Sequence, residues 1–220
     1  MKILLGIVTA ACSLIVFSCK SGSSGDTGPA DFCKADCGVD TIQTAGESKE
    51  KPFVMITMNN CKPDSITWGS RTMTAYRQME FPELVGKDIK INPEKMRINI
   101  YGNNYAWLVF NECKWGQGYI VKLPFNKTDN IFRKSSAFNS LDRKYNVDTS
   151  IVAYSDRGNI FVEQMSTGKK AMMTFGEMTD MEYDAMHETV DSVNITPTRI
   201  WAKVKIGKEW KEIEKDITLE

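Results

Sequence analysis

The sequence predicts a mainly β protein: an antiparallel β-sandwich of short strands and hairpins with one or two short helices. Short stretches alternate apolar and polar side chains, and clusters of Gly, Asn and Asp separate them. Patterns with a helical period are few. About 190 residues of short strands and turns suit two packed sheets.

The individual strands are expected where alternation is clearest. These are residues 53–58, 96–101, 105–110, 119–123, 151–154, 159–165, 200–206 and 210–219. The second, third and fourth follow one another through glycine-containing turns and predict a meander. The fifth and sixth flank Ser155-Asp156-Arg157-Gly158, and the last two flank Gly207-Lys208, so each pair predicts a hairpin.

Two segments carry helix signals. Ser135 or Ser136 could cap a short helix through Leu141, and Thr179 with Glu182 fits a capping box. Either segment could instead be a loop.

A repeat of about 40 residues is the alternative architecture. Gly86-Lys87, Asn126-Lys127, Gly168-Lys169 and Gly207-Lys208 each follow a strand-like stretch. Propeller blades have repeats of this length. The polar stretch 125–149 lacks the strands of a blade, so the sandwich is the preferred prediction.

The N-terminus reads as an export signal. Lys2 precedes an apolar run over residues 3–17, which is a little short for a membrane-spanning helix. The run ends in Val16-Phe17-Ser18-Cys19, which resembles the lipobox of bacterial lipoproteins. That resemblance implies cleavage before Cys19 and acylation of its thiol and new amino group. A second candidate, at Cys12, has too short an apolar stretch before it.

The lipobox sets the expected domain organisation. Residues 1–18 would be the signal peptide, residues 19–30 a flexible tether rich in Ser and Gly, and residues 31–220 a single mainly β domain. The chain then resembles uncharacterised lipoproteins of Gram-negative bacteria of the Bacteroidetes type. Lys20 favours the outer membrane, and the lack of acidic residues close to Cys19 favours a periplasm-facing position over surface display.

Charge excludes some partners. The chain has 28 Lys and Arg against 28 Asp and Glu. Cleavage before Cys19 removes only Lys2, so the mature chain would be close to neutral. With no basic excess, a nucleic-acid partner is not expected.

The cysteines predict disulfides. With Cys19 acylated, the mature chain keeps an even number of four, Cys33, Cys37, Cys61 and Cys113, in an oxidising compartment. We expect Cys33 and Cys37 each to bond a distant partner, Cys61 or Cys113. The spacing is poor for a zinc site, so no metal and no cofactor is expected.

No motif commits the chain to a reaction. His187 is the single histidine, and His187-Glu188 lacks the second histidine of a zinc-protease helix. Asp184, His187, Glu188 and Asp191 could hold a cation, but such a run is more typical of a solvated helix surface. No glycine-flanked serine marks a nucleophile.

The tryptophans are the best indication of a binding surface. Trp115 lies in the predicted loop Lys114-Trp115-Gly116-Gln117-Gly118 and is expected to be exposed. Indole faces bind sugar rings and peptides well. Trp107 and Trp201 lie in apolar strands and are expected in the core.

Three short motifs concern modification. Asp-Ser or Asp-Thr followed by an aliphatic residue resembles the O-glycosylation signal of Bacteroidetes-type secreted proteins. It occurs at Thr41, Ser65 and Ser192. The alternative interpretation is a strand that starts after a turn.

The sequence therefore favours a membrane-anchored envelope lipoprotein with a non-catalytic binding or accessory role, whose partner is an envelope protein or glycan. The alternative is a secreted hydrolase acting on envelope polymers or glycans. An enzyme would show converging carboxylates or a Ser–His pair in a cleft, and a binding module would show an exposed aromatic patch.

Overall fold

The strands of this protein form three sheets that pack as a sandwich. The computed structural model describes residues 37–71, 73, 75–175 and 189–220. Within these residues the chain forms fifteen strands, one α-helix and one 3₁₀ turn, Pro93–Lys95. The predicted mainly β fold with antiparallel sheets is confirmed.

The first sheet has four antiparallel strands in chain order. They are β1 (Thr41–Ala45), β2 (Phe53–Asn59), β3 (Lys62–Gly69) and β4 (Arg77–Glu80). Asn60 and Cys61 join β2 to β3, with φ angles of 51° and 60°. Positive φ at both central positions is typical of the type I′ turn, whose twist matches that of a hairpin.

The second sheet has seven strands and forms the centre of the molecule. Its strands are β5 (Arg97–Tyr101), β6 (Tyr105–Asn111), β7 (Gly118–Pro124), β8 (Phe132–Phe138), β10 (Ile151–Asp156), β11 (Asn159–Gln164) and β12 (Lys170–Met173). They lie in the order β12-β11-β10-β8-β7-β6-β5. The predicted meander is β5 to β7, and the predicted hairpin around residues 155–158 is β10 with β11.

The third sheet comes mainly from the C-terminal residues. It contains β9 (Tyr145–Val147), β13 (Val190–Thr196), β14 (Arg199–Ile206) and β15 (Glu209–Asp216), in the order β15-β14-β13-β9. The predicted hairpin across Gly207 is β14 with β15. β9 runs parallel to β13, while the other pairs are antiparallel.

Both small sheets cover the same face of the large sheet. Side chains of β2 and β3 pack with Leu108 of β6 and Val121 of β7, and side chains of β13 and β14 pack with Ala153 of β10. The alternate residues of these strands, Trp107, Ile120, Val152 and Tyr154 among them, form one separate cluster. Because successive residues of a strand point to opposite faces, that cluster occupies the other face.

The other face is strongly concave. The Tyr105 hydroxyl on β6 donates a hydrogen bond to the carbonyl of Met165, directly after β11, at 2.7 Å. Four strand spacings separate β6 from β11, which is about 19 Å in a flat sheet. The sheet therefore curls around its own aromatic core, and the small sheets lie on its convex side.

The one helix of the described residues was not predicted. The helix α1 (Phe81–Val85) has Pro82 in its first turn and ends at Gly86, whose φ is 84°. Proline at the start and a left-handed glycine at the end are the usual limits of a short helix. Phe81 and Leu84 are buried and attach α1 beside the first sheet.

The helix expected from Ser135 or Ser136 to Leu141 is wrong. Both serines lie in β8, which pairs with β7 and β10. The local signals were weak, and pairing on both sides decides the conformation. The capping box at Thr179 lies outside the described residues.

The 40-residue repeat does not correspond to a repeated unit. Gly86 ends a helix, Asn126 follows β7, Gly168 joins β11 to β12, and Gly207 joins β14 to β15. The turns recur, but the elements around them differ, so a propeller is not needed to explain the sequence.

The cysteines of the described residues are oxidised. Cys37 is bonded to Cys61, with their Cα atoms 4.8 Å apart. The prediction that Cys37 bonds a distant partner is confirmed. Cys113 is also disulfide-bonded, and Cys33 lies outside the described residues.

Within the described part of the chain, no helix has the length and apolar character needed to cross a bilayer.

Candidate functional site

Trp115 lies on the loop between β6 and β7, and its side chain is 63% exposed. Trp68 and Trp107 are fully buried, as an indole normally is. Trp201, expected in the core, is half-buried on the outward side of β14, and Trp210 on β15 is 47% exposed. Trp115 is thus the most exposed tryptophan of the five.

Buried polar groups hold the Trp115 loop in one shape. The carboxylate of Glu112, which is 4% exposed, accepts a hydrogen bond from the Trp115 N–H at 2.8 Å. The amide of Asn111, also buried, donates to the carbonyl of Gly116 at 2.8 Å. Gly116 has a φ of 69°, a conformation that costs glycine little. The backbone that carries the exposed indole is therefore held in one conformation.

The loop is also tied to neighbouring segments. The Glu112 N–H donates to the carbonyl of Gln117 at 2.9 Å, and the Cys113 N–H donates to the carbonyl of Lys90 at 2.8 Å. A disulfide at Cys113 adds a covalent tie. Each tie limits loop motion, so little conformational entropy would be lost when a ligand contacts Trp115.

Lysines surround this loop. The Lys114 ammonium lies 4.9 Å from the centre of the Trp115 ring. The Lys87 ammonium donates to the Gln117 side-chain oxygen at 2.8 Å and lies 5.8 Å from the Tyr119 ring. Burial raises the pKa of Tyr119, and the neighbouring Lys87 offsets part of that increase.

Tyr119 connects the Trp115 loop to a cleft of about 430 Å³ on the convex side of the large sheet. Residues of β7 and β8 line the cleft together with Leu84 and Val85 of α1 and the β10–β11 turn. Ligand pockets in proteins usually enclose several hundred Å³, so this cleft is of suitable size. We refer to it as the arginine cleft, because Arg133 and Arg157 are among the residues that line it.

The charges in the arginine cleft are unevenly balanced. Lys134 is paired with Asp156 at 2.7 Å, so these two charges offset each other. Arg133 donates from one terminal nitrogen to the carbonyls of Glu83 and Leu84, at 2.6 and 2.8 Å, at the end of α1. Arg157 forms no side-chain bond with the described residues. The cleft therefore carries two positive charges without a carboxylate partner.

Serines provide the neutral polar groups of the cleft. The Ser136 hydroxyl donates to the carbonyl of Ser155, while the Ser135 side chain is exposed. The sequence pattern did not indicate Ser135, Arg133 or Arg157 as residues of a binding site. They come from separate strands and turns, and only the sheet order places them together.

The glycosylation candidates occupy three different settings. Thr41 is exposed at the start of the edge strand β1. Ser65 is half-buried in β3 and hydrogen-bonded to Thr57 at 2.9 Å. Ser192 is half-buried in β13, and its hydroxyl donates to Asp191 at 3.2 Å. Of the three, Thr41 is the most accessible to a modifying enzyme.

The candidate cation site falls mostly outside the described residues, because Asp184, His187 and Glu188 lie there. Asp191 is described, and it is paired with Lys203 at 3.3 Å. Among the described residues, no group of three or more His, Cys, Asp or Glu side chains is arranged to hold a metal ion.

No protein-family model, curated protein or solved structure matches this chain.

Proposed function

We propose that this protein is a lipid-anchored envelope protein that binds a glycan through Trp115, in a non-catalytic role. The observation that carries the proposal is the rigid presentation of an exposed indole. The tryptophan side chains of a folded protein are ordinarily buried, and burial of one ring stabilises the fold by a few kcal/mol. Here Glu112 and Asn111 hold the backbone at Trp115 and Gly116, while the Trp115 side chain stays 63% exposed.

A glycan fits the surroundings of Trp115. The flat indole face matches the apolar C–H face of a sugar ring. The Lys114 ammonium lies 4.9 Å from the centre of the ring and can bond a sugar hydroxyl. The amide of Gln117, two residues along the same loop, offers a second polar group. Apolar contact with a few placed polar groups is the usual composition of a ligand site.

The membrane attachment follows from the lipobox at Cys19 and the tether after it. Several acyl chains hold a protein stably, since each buried CH₂ contributes about 0.8 kcal/mol. The residues that follow Cys19 favour the outer membrane and its periplasmic side. A binding module tethered there would keep its partner at the membrane surface.

The anchor is tested by labelling cells with a radioactive fatty acid. Label in the wild type and its loss in Cys19→Ala would support the assignment. Label that persists in Cys19→Ala and disappears in Cys12→Ala would place the anchor at Cys12 instead.

The binding role is tested with Trp115→Ala and a matched control, Trp210→Ala. Both tryptophans are exposed, but Trp210 lies on a different sheet. Binding to glycans purified from the envelope is measured by affinity electrophoresis and by the change in tryptophan fluorescence. Truncating a central aromatic contact costs about 2 kcal/mol, so Trp115→Ala should weaken binding about thirtyfold.

Trp210→Ala should leave the affinity within about twofold of wild type, the range of a surface substitution. Equal loss in both variants would show that exposed aromatics bind nonspecifically. An unchanged affinity in Trp115→Ala would refute the proposed role. Capture of an envelope protein, with no glycan bound, would show that the partner is a protein.

A further inference from the structure

We propose that the arginine cleft binds an anionic group, the carboxylate or phosphate of an acidic glycan. This inference specifies the charge of the ligand in the proposed function. It rests on that function for the statement that the ligand is a glycan. The anion site itself consists of Arg133 and Arg157, and it can be tested without reference to Trp115.

The first argument is charge. The whole chain has equal numbers of acidic and basic residues. The cleft departs from that balance, since the pairing of Lys134 with Asp156 leaves the two arginines uncompensated. Both arginines are exposed, and a cleft that carries one sign of charge raises the local concentration of an oppositely charged ligand.

The second argument is the preorganisation of Arg133. Its bonds to the carbonyls of Glu83 and Leu84 use one terminal nitrogen and hold the guanidinium at the end of α1. No described residue bonds the other nitrogens. A guanidinium presents its donors in a planar fork that matches a carboxylate or phosphate, and a fixed fork loses little entropy on binding.

The third argument is the position of Arg157. Arg157 and Gly158 form the turn between β10 and β11, and both have positive φ, of 47° and 75°. Asn, Asp or Gly normally occupies the first position of such a turn, because a longer side chain is strained there. Arginine at this position places a positive charge on the lining of the cleft. Strain retained at one residue is typical of a functional position.

The fourth argument is continuity with Trp115. Tyr119 lines the cleft, and its hydroxyl donates to the side chain of Gln117 at 3.1 Å, two residues from Trp115. Lys87 lies over the Tyr119 ring. A polymer with a sugar ring on Trp115 could therefore continue toward the arginines.

The test compares oligogalacturonate with its methyl ester, which has the same sugar rings without the carboxylate charge. Inorganic phosphate is the second probe. Affinities of the full-length protein are measured by isothermal titration calorimetry at 50 and 300 mM NaCl. Wild type should bind oligogalacturonate at least tenfold more tightly than the ester, and added salt should weaken the charged ligand more.

The variants are Arg157→Asn, which suits the positive φ, and Arg133→Lys, which keeps the charge but loses the fork. The control is Arg143→Asn, an exposed arginine that does not line the cleft. Arg157→Asn should weaken oligogalacturonate or phosphate about tenfold, as expected for one charge-assisted hydrogen bond. Arg133→Lys should cost less, and circular dichroism should show that all three remain folded.

Competition by phosphate would identify phosphate as the anion, and binding of oligogalacturonate alone would identify carboxylate; either result supports the site. Equal affinities in Arg157→Asn and Arg143→Asn would overturn it, as would wild-type protein that binds neither charged probe. If Arg157→Asn weakens the binding of oligogalacturonate and Trp115→Ala does not, the role of Trp115 is refuted and the anion site stands.

Discussion

The disulfide between Cys37 and Cys61 should contribute strongly to the free energy of unfolding, and substitution of both cysteines measures that contribution. Its sequence separation is 24 residues. The loop-entropy relation for a disulfide then gives about 3.4 kcal/mol at 25 °C. The double variant Cys37→Ala/Cys61→Ala, which leaves no unpaired thiol from this bridge, should lose about that amount.

Cys61 also has an unfavourable backbone conformation. It occupies the second position of a type I′ turn at a φ of 60°, where glycine is preferred. The left-handed region costs a residue with a Cβ atom about 1 kcal/mol. Cys37→Ala/Cys61→Gly should therefore be about 1 kcal/mol more stable than the double alanine variant, although both lack the disulfide.

Urea unfolding followed by circular dichroism, without reductant, measures both differences in the purified protein. The slope of free energy against urea should stay similar, so that midpoints can be compared. A loss below 1 kcal/mol in the double alanine variant would refute the loop-entropy argument. A glycine variant no more stable than the alanine variant would refute the assignment of strain to Cys61.

Three further predictions concern the core. Burial, together with nearby carboxylates, raises the pKa of Tyr154 to about 12. The tyrosine of the unfolded chain loses its proton nearer pH 10, so the stability of the folded protein should fall between pH 10 and 12. Thermal melting should show a less steep fall in Tyr154→Phe. Glu163→Gln should lower the free energy of unfolding, measured in urea, by about 2 kcal/mol, because this buried carboxylate pairs with two lysines. The control Asp156→Asn, at a more exposed ion pair, should lower it by less than about 1 kcal/mol. Leu84→Ala should cost about 2–5 kcal/mol and loosen α1, as limited proteolysis would show.

Most strands could be predicted because their signals are local. Met96, Ile98 and Ile100 alternate along one edge strand, and glycine turns mark the meander that follows. The hairpin at Gly158 has a turn sequence between two apolar strands. In each case a few neighbouring residues carry the information, and the structure confirms the prediction.

The segments that could not be predicted depend on distant neighbours. Ser135 and Ser136 have no strong preference, and β8 becomes a strand because β7 and β10 flank it. The helix α1 has only five residues, too few for a helical period to appear in the sequence. The exposure of Trp115 was predicted from its loop, whereas the arginine cleft required the sheet order.

The two type I′ turns show how local rules and function interact in this chain. In the turn between β2 and β3, Cys61 occupies the second position, where glycine is favoured. In the turn between β10 and β11, Gly158 occupies the second position and Arg157 the first. Cys61 has an evident compensation, since the disulfide contributes more than the strained φ costs. Arg157 has no side-chain partner among the described residues that could compensate in the same way. Local rules that natural sequences break without structural gain tend to lie at functional sites. Arg157→Asn should therefore leave the free energy of unfolding unchanged or raise it while weakening anion binding, and a variant that lost both would show that Arg157 has a structural role.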